Sequence, residues 1–161
     1  MAAETSVMTD REAERETLRR TAREFAQREI RPRVADYDRE ERFPREIVEE
    51  AARLGWLGAV LPHEYGGEGL DWVSFVALIE ELSRVCHCIG LAVSFPSGLV
   101  GAGILRYGSE EQKQRLLPPL VRGETFAGAG VTEPRGGTDV ASMTTTCRRE
   151  GDEYVIQGAK A

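Results

Sequence analysis

The period of the apolar residues changes once along this chain, and that change limits the folds open to it. Up to residue 122, apolar side chains recur every three or four residues, which is the period of helices with a buried face. After Glu124, short runs of small, β-branched and aromatic residues are separated by turn residues. The sequence therefore predicts a mainly α fold, with an all-helical domain over residues 1–122 and the start of a β-domain over residues 123–161.

Capping residues and a proline mark where helices begin and break. Thr9 with Glu12, and Ser109 with Gln112, match the capping box, in which two side chains satisfy free amides at a helix start. Pro32 lacks a backbone donor, so it is expected to interrupt the first helix. These signals predict helices that start at Thr9 and at Ser109.

Two further helices carry apolar stripes that predict their buried faces. The helix over residues 44–54 is expected to begin at Pro44 and to be capped by Gly55. The helix that starts at Asp71 is apolar enough to be buried on most sides. The residues expected to face the core are Ile47, Ala51 and Leu54 in the first helix, and Trp72, Phe75, Val76, Ile79 and Leu82, widened by Val73 and Leu78, in the second.

The carboxy-terminal segment predicts strands. Phe126–Val131 has the small, apolar composition of a buried strand. Thr144–Arg149 and Tyr154–Gln157 predict a β-hairpin around a Glu-Gly-Asp-Glu turn. Because a two-stranded hairpin cannot bury its own apolar face, the β-domain is expected to be incomplete in these residues.

Charge and cysteine content exclude several classes of function. A net charge of −6 without a basic stripe speaks against nucleic-acid binding. Three cysteines form an odd set, and the first ten residues lack the pattern of a signal peptide, so a cytoplasmic location is expected. The apolar stretch Ile89–Leu105 is interrupted by Pro96 and by glycines, and the sequence predicts no membrane span.

Residues 126–139 are the segment whose residue types most clearly suit the binding of a ligand. Gly136 and Gly137 let backbone amides approach a ligand closely, and Thr138 adds a hydroxyl beside them, as suits a phosphate or pyrophosphate. The preceding strand and the Thr132 hydroxyl offer hydrogen bonds to the edge of a planar heterocycle. An ordinary glycine-rich turn has the same local sequence, and from local chemistry alone it is the simpler interpretation.

The run Val131–Asp139 resembles the flavin-binding signature of acyl-CoA dehydrogenases, in which Thr-Glu-Pro is followed by glycines and Ser-Asp. Here Thr138 replaces the usual serine and keeps the hydroxyl, while Arg135 and Gly136 vary within the loop. Other motifs occur in the family's order and spacing over almost the whole chain. They are Phe43-Pro44, Pro62–Gly69, Tyr107–Lys113, Gly151–Gly158 and Lys160.

This resemblance implies a fold and a set of binding residues. The fold is the family's N-terminal helical bundle followed by the first strands of a truncated β-barrel domain. Val131 and Thr132 would contact the isoalloxazine ring of FAD, and Ala129 would lie beside it with little side chain to contribute. Gly137 and Thr138 would meet the pyrophosphate region, with Thr138 also close to the acyl-CoA. The residues that would line the deep end of the acyl pocket are Leu91, Ala92 and Phe95.

The resemblance also implies an activity that these residues cannot complete. Family members remove the α-proton of an acyl-CoA thioester while a β-hydride passes to FAD, and their base is a glutamate on a later helical domain. No catalytic residue is therefore assigned here, and the chain is expected not to turn over acyl-CoA alone. Implied partners are an electron-transfer flavoprotein or another acceptor and further copies of the chain, as a dimer or tetramer. The implied setting is fatty acid metabolism, while an oxidase or monooxygenase-like relative, and a non-catalytic helical module for dimerisation or docking, remain open alternatives.

Four other features carry weaker signals. Cys86-His87-Cys88 has metal-binding residue types but too few ligands for zinc, so no metal site is predicted. Of Glu80 and Glu81, one is expected to be solvated and the other to pair with Arg84. His63 is expected on the surface. The arginines of the first helix are expected to form a solvated face: Arg15, Arg19, Arg20, Arg23 and Arg28.

Overall fold

A computed structural model describes the backbone of residues 2–161 and the side chains of residues 10–161. The chain divides into two compact units, one that ends at Ala127 and one that spans Gly128–Ala161. The first unit is helical and the second contains a β-hairpin. The mainly α fold predicted from the sequence is confirmed.

Within the described residues, the first unit contains seven α-helices joined by short turns. A π-helical turn (Ala26–Ile30) follows the first helix, and a second π-helical segment (Phe95–Gly101) joins the fifth helix to the sixth. Two 3₁₀ turns, Trp56–Gly58 and His63–Tyr65, precede the fourth helix. The helices are α1 (Ala2–Phe25), α2 (Val34–Arg39), α3 (Arg45–Arg53), α4 (Trp72–Ser83), α5 (His87–Ser94), α6 (Ala102–Tyr107) and α7 (Glu110–Val121).

Most helix boundaries follow their sequence signals. A turn over residues 31–33 separates the first helical stretch from α2, as expected at Pro32. At the start of α7, the Ser109 hydroxyl accepts from the Gln112 amide, and the Gln112 side chain accepts from the Ser109 amide, which confirms that capping box. Helix α1 begins at Ala2, so the predicted start at Thr9 is wrong, and the Thr9 side chain lies outside the described residues.

The faces predicted to be buried are correct only in part. In α3, Ile47 and Ala51 are buried, but Leu54 is 45% exposed because the chain leaves the helix there and turns at Gly55, whose φ is 77°. In α4, Phe75, Leu78 and Leu82 are buried and Ile79 is half-buried. Against prediction, α4 exposes three of its apolar side chains: Trp72 (56%), Val73 (59%) and Val76 (60%). Helices α1 and α5 pack against α4 and leave this side uncovered within the described unit.

Ion pairs join α1 to α4, and they correct the prediction of a solvated arginine face. Arg23 donates to both oxygens of Glu81, at 3.0 and 2.8 Å. Arg19 donates to Glu80 at 2.8 Å and to Glu81 at 3.4 Å. Arg15 reaches Asp71 at 3.5 Å. Arginines 15, 19 and 23 therefore hold the helix pair together, whereas Arg20 and Arg28 are exposed.

Glu80 and Glu81 have different environments, although neither is left without an ion pair. Glu80 pairs with Arg84 at 3.3 Å as well as with Arg19. Glu81 is only 2% exposed. The prediction that one of the two would be simply solvated is wrong, because α1 brings arginines that local sequence spacing does not reveal.

The second unit is small and open. Strands β1 (Thr146–Glu150) and β2 (Glu153–Gln157) pair antiparallel, with Arg148 opposite Val155, around a two-residue turn at Gly151. This confirms the predicted hairpin. The strand predicted over Phe126–Val131 is wrong: the segment is irregular and mostly exposed. Within residues 10–161, no neighbouring strand supplies the backbone partners that the segment would need.

One segment, His87–Tyr107, is long and apolar enough to cross a membrane when only length and composition are considered. A third of its most apolar window is buried inside the unit. Core helices of soluble proteins pass the same test, so this single segment is weak evidence for a span.

Candidate functional site

The Val131–Asp139 run is organised around a buried carboxylate that the sequence analysis did not single out. Glu133 is 5% exposed. One of its oxygens accepts from the amide and the hydroxyl of Thr144, both at 2.7 Å. The other accepts from the Thr145 amide at 2.9 Å and from Lys160 Nζ at 3.1 Å. The carboxylate thereby ties the glycine-rich turn to the start of the hairpin and to the end of the chain.

These donors also set the ionisation of Glu133. The Thr144 amide makes the largest contribution, the Thr144 hydroxyl and the Thr145 amide add to it, and together they hold the pKa of the carboxyl far below its usual range. Hydrogen bonds to the charged form favour that form and lower the pKa. Glu133 is therefore an anion throughout the neutral and mildly acidic range, as a partner for Lys160 must be.

The carbonyl groups of Val131 and Thr132 accept hydrogen bonds, whereas their amides donate none among the residues that the structure describes. Lys160 Nζ donates to the Val131 carbonyl at 3.0 Å, and the Ala161 amide donates to the Thr132 carbonyl at 2.9 Å. Neither the Val131 amide nor the Thr132 amide donates to a backbone carbonyl among the described residues. Exposed segments of this kind offer donors to a ligand while their acceptors are already used.

The turn that follows is tight and leaves Gly137 close to Thr132. Glu133 and Gly136 exchange two backbone hydrogen bonds of 3.0 and 2.9 Å. Gly136 has a φ of 154°, in the region that favours glycine. A Cβ at Gly137 would lie 2.9 Å from the Thr132 hydroxyl oxygen, so glycine keeps that approach open. Ala129, Val131, Thr132 and Thr138 are exposed, and Gly137 is half-buried.

The three residues expected at the acyl pocket lie in the helical unit. Leu91 is 49% exposed on α5, and Ala92 is half-buried against the core. Phe95 begins the π-helical segment and is half-buried. The next residues anchor this segment, since Pro96 and Ser97 are fully buried and the Ser97 hydroxyl accepts from the Val60 amide at 2.9 Å. A π-helical turn inside a helix frequently marks a functional position.

The remaining sequence features show little chemistry. Cys88 is exposed with its sulfur 3.5 Å from His87 Nε2, and Cys86 is partly buried. In the part of the chain with described side chains, no cluster of three or more His, Cys, Asp or Glu residues could hold a metal ion. His63 is exposed, and its Nδ1 lies 2.7 Å from the Gly67 carbonyl oxygen.

No role was assigned from the sequence to Glu133 or Lys160, the two side chains central to this geometry. Glu133 follows a β-prone run and precedes a proline. It is therefore not expected in a helix, where a basic residue one turn away could pair with its carboxylate. Lys160 stood among the family motifs, but its contacts with Val131 and Glu133 depend on a chain reversal over almost thirty residues. Local spacing cannot reveal such a contact.

Comparison with known proteins places these features in a family. The family model described as "Acyl-CoA dehydrogenase, N-terminal domain" matches residues 12–124. The short-chain specific acyl-CoA dehydrogenase of Clostridium acetobutylicum is 43% identical over 147 residues, which cover 91% of this chain and 39% of that protein. The 3-(aryl)acrylate reductase of Clostridium sporogenes is 41% identical over 145 residues, covering 90% and 38%.

The fold is similar to solved structures of the same kind. A glutaryl-CoA dehydrogenase from Mycobacterium smegmatis, solved in complex with FADH2, has a TM-score of 0.86 and 33% identity, covering 91% of this chain and 38% of that one. The chain spans about two fifths of the length of the relatives it matches. With the family model matching well over half of the residues, the chain belongs to the acyl-CoA dehydrogenase family.

Proposed function

We propose that this chain is the amino-terminal part of an FAD-dependent enzyme that dehydrogenates acyl-CoA thioesters between the α- and β-carbons. The observation that carries the proposal is the Val131–Thr138 segment, whose free amides stand beside a glycine-rich turn fixed by Glu133. Family membership supplies the reaction class. The 161 residues alone are proposed to lack turnover, because no catalytic base is assigned among them.

The residues present fit a flavin on structural grounds. The Val131 and Thr132 amides donate to no backbone carbonyl of the described chain, so they are available to the acceptor edge of a planar heterocycle. The open approach at Gly137 and the exposed Thr138 hydroxyl suit a pyrophosphate, with Thr138 also near acyl-CoA. Ala129 adds backbone only. When bound, FAD supplies the acceptor for the hydride that leaves the β-carbon.

Substrate contacts are proposed for the helical unit. Leu91, Ala92 and Phe95 would provide an apolar surface for the acyl chain, and the two residues after Phe95, Pro96 and Ser97, are buried. Division into a helical domain (1–122) and a β-domain (from 123) is proposed for the whole protein. We also propose that the whole protein is cytoplasmic, acts in fatty acid metabolism and forms a homo-oligomer. Its proposed electron acceptor is an electron-transfer flavoprotein or a similar protein.

One specific observation favours a second candidate, a helical module that dimerises or docks without catalysis. Helix α4 exposes Trp72, Val73 and Val76, each more than half accessible. Large apolar side chains grouped on one helix mark a surface that another protein element covers. A further domain of the same enzyme would cover that surface equally well.

The two candidates give different results with purified protein. The full-length protein that contains this chain is expected to be yellow, and its flavin absorption is expected to bleach when a saturated acyl-CoA is added without oxygen. A colourless full-length protein that forms a stable oligomer through α4 would instead support the docking module. Return of the yellow absorption when an aryl acrylate or its thioester is added to the reduced flavin, without oxidation of acyl-CoA, would favour the reductase direction named for the C. sporogenes relative.

A further inference from the structure

Lys160 uses all of its donors inside the second unit. Its Nζ lies 3.0 Å from the Val131 carbonyl oxygen, 3.1 Å from Glu133 Oε1 and 3.2 Å from the Met143 sulfur. An ammonium group has three N–H donors, and each has one of these acceptors. A flexible lysine held on three sides is unusual for a surface position, because ordering its side chain costs conformational entropy.

The pair formed by Lys160 and Glu133 is well suited to fix the backbone between them. The Glu133 carboxylate is buried and takes three further hydrogen bonds from Thr144 and Thr145, so it is a rigid anchor for the ammonium group. The ammonium group in turn holds the Val131 carbonyl, and the adjacent Ala161 amide holds the Thr132 carbonyl. Two successive carbonyls of an otherwise irregular, exposed segment are thereby fixed in direction.

Fixing the carbonyls also fixes the amides, because each peptide group is planar and its N–H points opposite to its C=O. The Lys160 contact therefore orients the Thr132 amide, and the Ala161 contact orients the Glu133 amide, which closes the turn with Gly136. The Thr132 amide, which donates to no backbone carbonyl among the described residues, is thereby held in a fixed direction while the neighbouring acceptors are used. Such prearranged donors bind a ligand's acceptor edge without a further ordering cost.

We propose that Glu133 and Lys160 are positioning residues that hold the Val131–Thr132 backbone in a donor-presenting form for the flavin, without touching the flavin themselves. This inference rests on the proposed function for its ligand. The pair is inferred to make this segment rigid, since the segment has no regular secondary structure of its own.

The test uses four variants and two readouts, the first in the 161-residue chain and the second in the full-length protein that contains it. Lys160→Met removes the charge and keeps the stem, Glu133→Gln removes the opposite charge, and Lys160→Arg is the conservative variant. Arg135→Gln is the matched control, because it removes an exposed charge from the same turn. The first readout is the ¹H–¹⁵N heteronuclear NOE of the amides of residues 131–138, which reports their order without any flavin. The second is a titration of the full-length proteins with FAD, followed by the flavin fluorescence.

The inference expects lower NOE values for Lys160→Met and Glu133→Gln, with recovery in Lys160→Arg and no change in Arg135→Gln. It expects FAD to bind the full-length proteins with the two disruptive substitutions about tenfold or more weakly than the original full-length protein, the size of a lost charge-assisted hydrogen bond. Unchanged NOE values, or lost order with unchanged FAD affinity, would overturn it. Failure of the full-length original protein to bind FAD would count against the proposed function alone, because the order of the segment is read without FAD.

Discussion

The buried carboxylate of Glu81 offers the most quantitative test of how the helical unit is held together. Arg23 donates two hydrogen bonds to it, at 3.0 and 2.8 Å, and Arg19 adds a longer one at 3.4 Å. The substitution Glu81→Gln keeps the shape of the side chain but replaces one acceptor oxygen by a donor that faces an arginine. The α1–α4 contact should weaken as a result.

The expected loss follows from the geometry. Hydrogen bonds to charged groups contribute about 1.5–3 kcal/mol each, and removing one partner of a buried ion pair costs about 3–5 kcal/mol. Glu81 is 2% exposed, but the Arg23 side chain is 52% exposed and can be rehydrated, which reduces the loss. We therefore expect Glu81→Gln to lower the free energy of unfolding by about 2 kcal/mol.

Urea denaturation followed by far-ultraviolet circular dichroism at neutral pH measures this loss. With a typical slope of about 1–3 kcal/mol per molar urea, the midpoint should fall by about 1 M. The matched control is Glu80→Gln, since Glu80 is adjacent and also pairs with Arg19, but its side chain is 41% exposed. A control loss equal to or larger than that of Glu81→Gln would refute the argument from burial.

The pH dependence of the same variant provides an independent check. The Arg23 guanidinium makes the largest contribution in holding the pKa of Glu81 below its usual value, against the opposing effect of burial. A carboxyl whose pKa is lowered on folding stabilises the protein above its unfolded pKa and loses that stabilisation as the pH falls through the folded pKa. The stability difference between the original chain and Glu81→Gln should therefore shrink on acidification below about pH 4, near the ordinary carboxyl pKa.

Three other outcomes are expected from single measurements. The Glu46 amide, Tyr37 and Arg42 lower the pKa of Glu46 to about 2. In thermal unfolding, Glu46→Gln should therefore be less stable than the original chain at pH 7 and equally stable near pH 2. Burial and, after it, the hydrogen bond to Glu110 raise the pKa of Tyr65 to about 12. The stabilisation that Tyr65 contributes is therefore present below the unfolded pKa and is lost as the pH rises toward 12. A titration followed by tyrosinate absorbance should show a late step in the original chain that is missing in Tyr65→Phe. Gly67→Ala should cost about 1–3 kcal/mol, because its Cβ would collide with the Leu61 carbonyl, whereas Gly103→Ala, with open space around the added carbon, should be neutral or stabilising in the same urea assay.

The sequence predicted secondary structure well where a signal is local. The Ser109 capping box, the break at Pro32 and the left-handed Gly55 each depend on residues within one or two turns, and each is present. The hairpin is likewise a local structure, because its two strands are joined by two residues. Boundaries set by such contacts can be read from the chain directly.

Predictions that depended on distant partners were less successful. Trp72 and Val76 fit an apolar stripe, but burial depends on which elements pack against α4, and periodicity does not report that. Glu81 and the α1 arginines are separated by about sixty residues, so their pairing was invisible in the spacing of either helix. The prediction of a strand over Phe126–Val131 was wrong for the same reason, since a strand exists only where a neighbouring strand accepts its hydrogen bonds.

The candidate site was predicted as a motif but not as a structure. Resemblance located the residues from Ala129 to Thr138, and their ligand contacts remain predictions. The Glu133 network that shapes the segment joins residues 131, 133, 144 and 160, and only the folded chain shows that they meet.

Anaerobic addition of a saturated acyl-CoA to the full-length protein is the most direct test of the central claim. The flavin absorption band is followed in the spectrophotometer, and the product is identified by mass spectrometry. The proposed function predicts a yellow protein whose flavin band bleaches as the acyl-CoA loses two hydrogens to become the α,β-enoyl thioester. A protein that binds no flavin, or whose flavin is reduced by no acyl-CoA, would contradict it.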